Sequence, residues 1–224
     1  MKIKLKILTP VHISSGEEIS PIEYLIHNNK FIRIDMDSLF NDSEFKPLME
    51  KFISIAKEQR YIGDILPKDL LLKHPLYSLD ISPTLKRANP ISVKSFVKSA
   101  GRVYIPGSSL KGSILSGVIE EILKQKKISK FQDYKKYLGE VLSELTGRFD
   151  MGEFAHWFNV KDSNFKTTEE ALELSCAKLV GTRSKREMSI LYETLKEGIE
   201  FETEIISHCK KNEIEILNMT NQFY

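Results

Sequence analysis

The chain has 224 residues, of which 41% are hydrophobic and 29% charged, a composition that excludes an intrinsically disordered chain. The formal net charge of +2 neither favours nor excludes a nucleic-acid partner. Cys176 and Cys209 lack the spacing of a disulfide framework or a zinc cluster, and no apolar run reaches the length of a membrane span, so a cytoplasmic protein without metal or membrane association is expected.

The N-terminal part of the chain is predicted to form a strand and a hairpin. From Lys2 to Leu8, apolar residues alternate with lysines, as in a strand that is buried on one face. Val11–Ser20 is polar and glycine-containing, so a loop is expected there. Ile22–Ile26 and Phe31–Ile34 are predicted to pair as a hairpin, because the asparagines between them tolerate the left-handed backbone of a tight turn.

The middle of the chain is predicted to contain helices on either side of an irregular insertion. Helical spacing over Pro47–Arg60 predicts the first helix. Residues at about 63–100 lack clear periodicity, so an irregular insertion with a short helix at Lys68–Lys73 is expected. A broad apolar stripe after Pro106 predicts the clearest helix, and another is expected at Gln132–Leu145.

The C-terminal part has the period-two pattern of strands. The predicted strands are His156–Lys161, Leu174–Val180, Met188–Leu195 and Ile199–Ile206. The last two flank Lys196–Gly198, a short glycine-containing turn, and are expected to form a hairpin. The order of the elements predicts an α+β fold with helices packed on one face of an antiparallel sheet.

A basic segment precedes and enters the clearest helix. Thr84–Ile119 contains no acidic residue and six basic ones, which are Lys86, Arg87, Lys94, Lys98, Arg102 and Lys111. Such a segment in a chain of low net charge is typical of a local phosphate-binding face, and the alternative is a solvated surface.

The candidate phosphate site in this segment is Tyr104–Ser113, which runs through a Pro-Gly turn into a helix capped by Ser108 or Ser109. Small residues leave backbone N–H groups accessible, and the helix N-terminus attracts an anion. Lys111 and Arg102 would add full charges, and the alternative is a plain capped helix. A nucleotide-binding P-loop is excluded, because no lysine follows the second glycine.

Two other segments are candidates for contact with a nucleic-acid backbone. His12 precedes a small polar loop of Ser14, Ser15 and Gly16 that allows close approach. A lone histidine in such a place more often packs or hydrogen-bonds than catalyses. Lys178–Arg186 contains four basic residues and no acidic one, and is either a solvated loop or a second phosphate contact.

Four aromatic residues are candidates for base stacking or for the core: Phe149, Phe154, Trp157 and Phe158. Adjacent residues of an extended strand face opposite sides, so at least one of the last two is expected in the core. Core packing is therefore favoured over stacking.

Several segments resemble the signature stretches of RAMP proteins of type III CRISPR systems. Leu8–Gly16 and Ile105–Gly112 are similar to the two main signatures, and Val160–Ser163 with Gly198–Ile205 to the strand pattern that follows them. Within the RAMP proteins, the continuation Ile19–Ile26 resembles the fifth subunit of Csm complexes. These stretches occur in the expected order along most of the chain.

The resemblance implies a modified ferredoxin-like (RRM-like) fold over residues 1–206, with 207–224 starting a C-terminal segment that is truncated. It implies a guide-RNA (crRNA)-binding subunit of a type III-A interference complex that needs no cofactor. This subunit caps the 3′ (spacer) end, contacts the adjacent Csm backbone subunit, and supports crRNA maturation and antiviral defence, with a host nuclease as a further partner. The residues expected to bind RNA are His12, Ser14, Ser15, Gly16, Arg102, Gly107, Ser108, Ser109, Lys111, Gly112, Arg183, Lys185 and Arg186.

Catalysis is not expected from the resemblance. The repeating Csm backbone subunit carries a target-cleaving aspartate before its Ser-Pro or Asn-Pro element, whereas here Ile19 precedes Ser20-Pro21. Isoleucine cannot act as an acid, a base or a metal ligand. The alternatives are a RAMP endoribonuclease that cuts target RNA or precursor crRNA, and a subunit that serves only protein interactions.

Overall fold

The computed structural model describes residues 1–58, 60–83, 85, 91–125, 158–179, 188–208 and 212–223. The chain forms two compact units. The first consists of Met1–Leu5, Tyr104–Asn164 and Glu200–Tyr224, and the second of Lys6–Val103 and Phe165–Ile199. The domain limits predicted at residues 1–206 and 207–224 stay predictions. Within the described ranges, no helix is long and apolar enough to cross a membrane.

Strands and helices are numbered in chain order over the described residues. The strands are β1 (Lys2–Lys6), β2 (Ser14–Ile19), β3 (Tyr24–His27), β4 (Lys30–Ile34), β5 (Pro75–Ile81), β6 (Val93–Phe96), β7 (Lys98–Ser99), β8 (Arg102–Val103), β9 (Phe158–Val160), β10 (Leu172–Leu179), β11 (Met188–Leu195) and β12 (Glu200–Ser207). The helices are α1 (Met36–Asn41), α2 (Met49–Glu58), α3 (Lys68–Leu71), α4 (Gly107–Gln125), α5 (Thr168–Ala171) and α6 (Glu213–Phe223). Single 3-10 turns occur at Pro21–Glu23, Lys46–Leu48 and Ile62–Asp64.

The first unit packs α4 and α6 with a three-stranded sheet of order β1-β12-β9. The apolar stripe of α4 supplies much of its core, whose buried residues are Ile114, Val118, Ile122, Leu123, Phe158, Ile205 and Ile216. Gly117 lets the two helices approach closely, because a Cβ there would lie 3.1 Å from Cα of Thr220. Phe158 is a core residue, as predicted, whereas Phe149, Phe154 and Trp157 lie outside the described residues.

The second unit is built on a seven-stranded sheet of order β2-β6-β11-β10-β5-β4-β3. β7 and β8 form a separate two-stranded hairpin. The helical segments between β4 and β5 pack with β3 and β4 around a second core, whose buried residues are Leu25, Ile32, Ile34, Leu39, Phe45, Phe52, Ile62, Leu66, Leu70 and Leu71.

Several sequence predictions are confirmed by these elements. The fold is α+β, and β3 and β4 pair as the predicted hairpin, with Asn28 and Asn29 at φ 48° and 58° in its turn. Helices occur near the predicted positions at Met49–Glu58 and Lys68–Leu71, and β11 has its predicted bounds. The predicted helix at Gln132–Leu145 lies outside the described residues.

The predicted loop at Val11–Ser20 contains a strand, so that prediction is wrong in part. Ser14–Ile19 forms β2 at the edge of the seven-stranded sheet, paired antiparallel with β6. The register shifts between Ser14 and Glu18, and every residue of β2 before Ile19 is exposed. Its sequence lacks an apolar alternation because neither face of this part is buried, and the strand depends on hydrogen bonding to β6.

The insertion predicted to be irregular also contains strands. Pro75–Ile81 forms β5, which lies between β4 and β10, and Val93–Phe96 forms β6 between β2 and β11. Pro75 is tolerated because it starts its strand, where proline's missing N–H matters least. Buried Leu79 and Ile81 give β5 the alternation of a strand.

The hairpin predicted between the last two strands does not form. β11 belongs to the seven-stranded sheet and β12 to the three-stranded sheet. Gly198 has φ 84°, as a turn residue would, but β10 and β6 already pair with the two edges of β11. The sheet is also mixed instead of wholly antiparallel: among the described strands, four of its six neighbouring pairs are antiparallel, and β6–β11 and β5–β10 are parallel.

Candidate nucleic-acid interface

The residues predicted to bind RNA are distributed over both units. Gly107–Gly112 forms the start of α4 in the first unit. His12–Gly16 and Arg102 belong to the second unit. Arg183, Lys185 and Arg186 lie outside the described residues.

The first backbone N–H of α4 is bound by a carboxylate of the protein itself. Gly107 N–H donates to Oδ1 of Asp162 at 2.7 Å, and Ser109 and Leu110 N–H donate to the Pro106 carbonyl at 3.0 and 3.2 Å. The helix begins at Gly107, slightly earlier than the predicted serine caps. Asp162 thus occupies the place expected for a phosphate, because a carboxylate satisfies the same orphan donor.

The two glycines of this segment differ in what surrounds them. Gly107 is buried, and a Cβ there would lie 2.1 Å from the Val160 carbonyl oxygen, so β9 requires a glycine. Gly112 is exposed, and a Cβ there would lie within 4 Å of no described residue outside its own turn of the helix. Ser108 and Ser109 are exposed beside it. Past Gly107, the helix start is therefore an open polar surface.

The segment His12–Gly16 is held by hydrogen bonds within itself and to β11. His12 Nδ1 donates to the Glu193 carbonyl at 2.8 Å, and its ring lies 4.8 Å from the ring of Tyr192, as the packing interpretation of this histidine predicts. Ser14 Oγ accepts from Gly16 N–H at 3.0 Å. Gly16 has φ 86° and open space around it, so another molecule's backbone can approach closely there.

Arg102 is presented by a tight hairpin. Ala100 and Gly101 join β7 and β8 with φ 48° and 71°, as in a two-residue hairpin turn. Thr168 Oγ1 donates to the Gly101 carbonyl at 2.8 Å, which fixes the turn to α5. The Arg102 guanidinium lies over the ring of Phe165, with Cζ 5.5 Å from the ring centroid.

An open cleft of about 410 Å³ lies beside this hairpin within the second unit. Its charged lining residues are Arg33, Lys98, Arg102, Glu17, Glu18 and Glu169. Arg33 pairs with Glu23 and Lys98 with Glu193, whereas Arg102 forms no ion pair within the described part of the chain. Arg102 is therefore the basic group of the cleft that has no ion-pair partner among the described residues, and it shares the cleft with the carboxylates of Glu17 and Glu169.

The basic segment is less positive in the fold than in the sequence. Lys94 pairs with Glu18, and Lys98 with Glu193, so two of its charges are compensated inside the protein. Lys86 and Arg87 lie outside the described residues.

Beneath the cleft lies a buried carboxylate that the sequence interpretation missed. Glu193 on β11 has no exposed surface. Its Oε1 accepts from Tyr77 Oη at 2.6 Å, its Oε2 from Phe96 N–H at 2.8 Å and Ser95 Oγ at 3.2 Å, and it pairs with Lys98. Burial, together with the negative charge of Glu193, raises the pKa of the Tyr77 hydroxyl. Because its polar contacts are saturated, Glu193 holds the strands under the cleft in place.

Among the described residues, no group of three or more His, Cys, Asp or Glu side chains is placed to hold a metal ion. Ile19 is 3% exposed at the end of β2, opposite Val93. The position before Ser20-Pro21, at which the predicted resemblance expects no catalytic aspartate, is filled by a core side chain.

Comparison with known proteins identifies the family. The model of the RAMP superfamily matches residues 4–219 of the chain. The chain belongs to the RAMP superfamily. The predicted resemblance is therefore confirmed at the level of the family.

Two curated relatives of this RAMP protein are Csm5 proteins, as the predicted similarity to the fifth Csm subunit requires. This chain is 34% identical to CRISPR system Cms protein Csm5 of Streptococcus thermophilus over 129 residues, and this aligned region covers 50% of this chain and 36% of the relative. This chain is 28% identical to Csm5 of Methanocaldococcus jannaschii over 156 residues, and this aligned region covers 66% of this chain and 34% of the relative. The matches therefore span about a third of the length of these relatives.

Solved structures confirm the α+β RAMP fold. The crystal structure of T. onnurineus Csm5 superimposes with a TM-score of 0.71 at 22% identity, over 99% of this chain and 70% of that one. A chain of a Csm-crRNA-target RNA ternary complex superimposes with a TM-score of 0.68 at 21% identity, over 99% of this chain and 66% of that one.

Two residues of this region had weak but readable signals in the sequence. Glu193 shares a strand face with Leu191 and Leu195, an apolar row in which a carboxylate must find buried donors. Phe165 is the only aromatic residue in the polar stretch Lys161–Thr168, and it is 42% exposed. Neither belongs to a recognisable motif.

Replacing Glu23, the partner of Arg33 at the cleft, is expected to reduce the acid sensitivity of folding. Burial alone raises the pKa of Glu23, but hydrogen bonds from Arg33 (3.0 Å) and Ser20 N–H (2.7 Å), with the Arg33 charge, hold this pKa below its usual 4.5. The pKa of Glu23 is therefore lower in the folded than in the unfolded protein. Ionised Glu23 stabilises the folded state fully above its unfolded-state pKa, and this contribution is lost as pH falls through its folded-state pKa.

Glu23→Gln should therefore lower the free energy of unfolding by about 1 kcal/mol at neutral pH. This difference from the wild type should shrink as pH falls below 4.5. Urea unfolding at several pH values measures it, with Glu58→Gln, at an exposed pair with Arg60, as control. If the difference in free energy of unfolding between Glu23→Gln and the wild type did not change with pH, the lowered pKa of Glu23 would be contradicted.

Proposed function

We propose that this RAMP protein is the crRNA-binding subunit of a type III-A Csm interference complex and caps the 3′ (spacer) end of the guide. The observation that carries the proposal is the 34% identity with the Streptococcus thermophilus Csm5 protein over 129 residues. The proposed partners are crRNA and the adjacent Csm backbone subunit, in keeping with the Csm-crRNA-target RNA complex that contains a chain of similar fold. The proposed roles are crRNA maturation, with a host nuclease, and antiviral defence.

Binding is proposed to use the phosphates of the guide and to be independent of base sequence. In the first unit, Ser108 and Ser109 offer exposed hydroxyls, and Gly112 allows close approach of a backbone. Because Asp162 accepts the Gly107 N–H, the helix contributes through these side chains and the charge of Lys111. Gly107 itself is required by the packing of α4 on β9.

In the second unit, the proposed contacts are Arg102 and the exposed segment that contains Ser14, Ser15 and Gly16. His12 is proposed to support that segment through its hydrogen bond to the Glu193 carbonyl. Arg183, Lys185 and Arg186 remain proposed contacts on their sequence alone.

Removing one phosphate contact should weaken binding equally for unrelated RNA sequences. The logarithm of the binding constant falls as the logarithm of the salt concentration rises. Arg102→Ala and Lys111→Ala are each expected to make this negative slope shallower by about 0.7, the value for one charge on a single strand. Filter binding or anisotropy with guide-length RNA over a salt series measures this. Lys73→Ala removes an equal charge from a lysine outside the proposed contacts, so it is the matched control and should leave the slope unchanged.

The same assay separates the proposal from its alternatives. Intact RNA on a denaturing gel, with a steep salt slope, supports the non-catalytic subunit. RNA that is cut after careful repurification, with Mg²⁺ or Mn²⁺ present, indicates a RAMP endoribonuclease instead. A chain that neither binds nor cuts RNA indicates a subunit that serves protein interactions in the assembled complex. A variant that changes sequence preference at unchanged affinity would contradict phosphate binding.

A further inference from the structure

An exposed aromatic ring lies under an arginine at the edge of the cleft. Phe165 is 42% exposed, and the Arg102 guanidinium lies over its ring at 5.5 Å from the centroid. Exposure of this much of a phenylalanine forgoes the hydrophobic gain of burying it. A planar cation on a partly open ring presents two π surfaces to a flat ligand.

Both side chains are carried by backbone that is fixed before any ligand binds. The residues next to them, Val103 and Lys166, exchange two backbone hydrogen bonds of 2.9 Å. The hydrogen bond from Thr168 to Gly101 adds a second link between the two segments. Such preorganisation lowers the entropic cost of binding a ligand at this place.

The surroundings favour a nucleobase over an apolar protein surface. In sequence, Phe165 lies between two polar residues. The cleft beside Arg102 is lined by polar and charged side chains, such as Thr167 and Glu169, and also by apolar Leu76. An apolar docking patch would need several hydrophobic neighbours. A partly exposed ring with a cation over it and charged groups nearby is typical of the stacking platforms that hold unpaired bases.

We propose that Phe165 and Arg102 form a stacking site for one unpaired nucleobase of the bound RNA, with the Arg102 charge also attracting the flanking phosphate. This site rests on the proposed RNA-binding function and adds one specific base contact to it. Every base has a π face, so the site accepts any of the four bases. It gives Arg102 a second role that a phosphate contact alone does not require.

The test compares an intact single-stranded oligouridine RNA with an abasic oligonucleotide of the same length and backbone charge. Phe165→Ala should weaken binding of the intact RNA by about tenfold, within the range of base–aromatic stacking, and leave the abasic strand within about twofold of the wild type. Phe165→Trp should retain binding of both. Arg102→Ala should weaken both, because the phosphates are present in each strand.

A fluorescent base gives a second readout that a change in stability would not produce. 2-Aminopurine placed along the oligouridine should be quenched on binding to the wild type and to Phe165→Trp, and less quenched with Phe165→Ala. Circular dichroism melting of each variant checks that the fold is intact, as expected for a substitution at an exposed ring.

The outcomes distinguish this site from the function on which it rests. If the wild type binds both strands and Phe165→Ala weakens neither, or weakens both equally, the stacking site is wrong while RNA binding stands. If the wild type binds neither strand, the proposed function fails as well. If Phe165→Ala binds RNA normally but no longer assembles with another protein, the surface serves a protein partner and the stacking proposal is overturned.

Discussion

Glu193→Ala is expected to lower the free energy of unfolding by about 3–5 kcal/mol, the cost of removing one partner of a buried ion pair. The carboxylate is fully buried and accepts from Tyr77, Ser95 and the Phe96 N–H. Its removal leaves these donors unsatisfied and Lys98, whose side chain is 14% exposed, without its counter-charge. Urea unfolding followed by circular dichroism measures the loss.

A double variant separates the ion pair from the cavity left by truncation. Glu193→Leu with Lys98→Met should be less destabilised than Glu193→Leu alone, because no unpaired charge remains. Glu18→Ala is the matched control: its exposed pair with Lys94 is expected to contribute less than about 1 kcal/mol. Equal losses for Glu193→Ala and Glu18→Ala would show that Glu193 does not hold the strands together.

Gly107→Ala is expected to destabilise the protein by about 3 kcal/mol, at the upper end of what overpacking costs. The added Cβ would lie 2.1 Å from the Val160 carbonyl oxygen and 2.8 Å from the Lys161 carbonyl carbon, and backbone atoms cannot yield as a flexible side chain does. The start of α4 must then move away from β9, which also strains the hydrogen bond of Gly107 N–H to Asp162.

Gly112→Ala supplies the control within the same helix. Its Cβ would contact none of the described residues outside its own turn of the helix, so the substitution should raise the free energy of unfolding by about 0.5–1 kcal/mol through helix propensity. Asp162→Ala, which removes only the cap, should cost about 1 kcal/mol. Thermal unfolding of the three variants measures the order of their stabilities. A Gly107→Ala variant as stable as the wild type would contradict the role of Gly107 in packing α4 on β9.

Features that depend on short-range physics could be predicted from the sequence. Asn28 and Asn29 tolerate positive φ, so the hairpin of β3 and β4 was predictable from four residues. The apolar residues of α4 recur with the period of a helix, and those of β11 with the period of a strand, so both elements could be predicted from the sequence. The ordered signature stretches predicted the RAMP family, which the match over residues 4–219 confirms.

Which surfaces meet could not be predicted from the sequence, because it depends on contacts between segments that are far apart along the chain. β2 carries no apolar pattern and becomes a strand because β6 offers it a hydrogen-bonding edge. The partners of Glu193 are 95–116 residues away along the chain, so spacing could not reveal its buried network. Asp162 likewise caps a helix that begins 55 residues before it. Periodicity records whether a residue is buried, whereas its contacts depend on chain segments that folding brings together from distant positions.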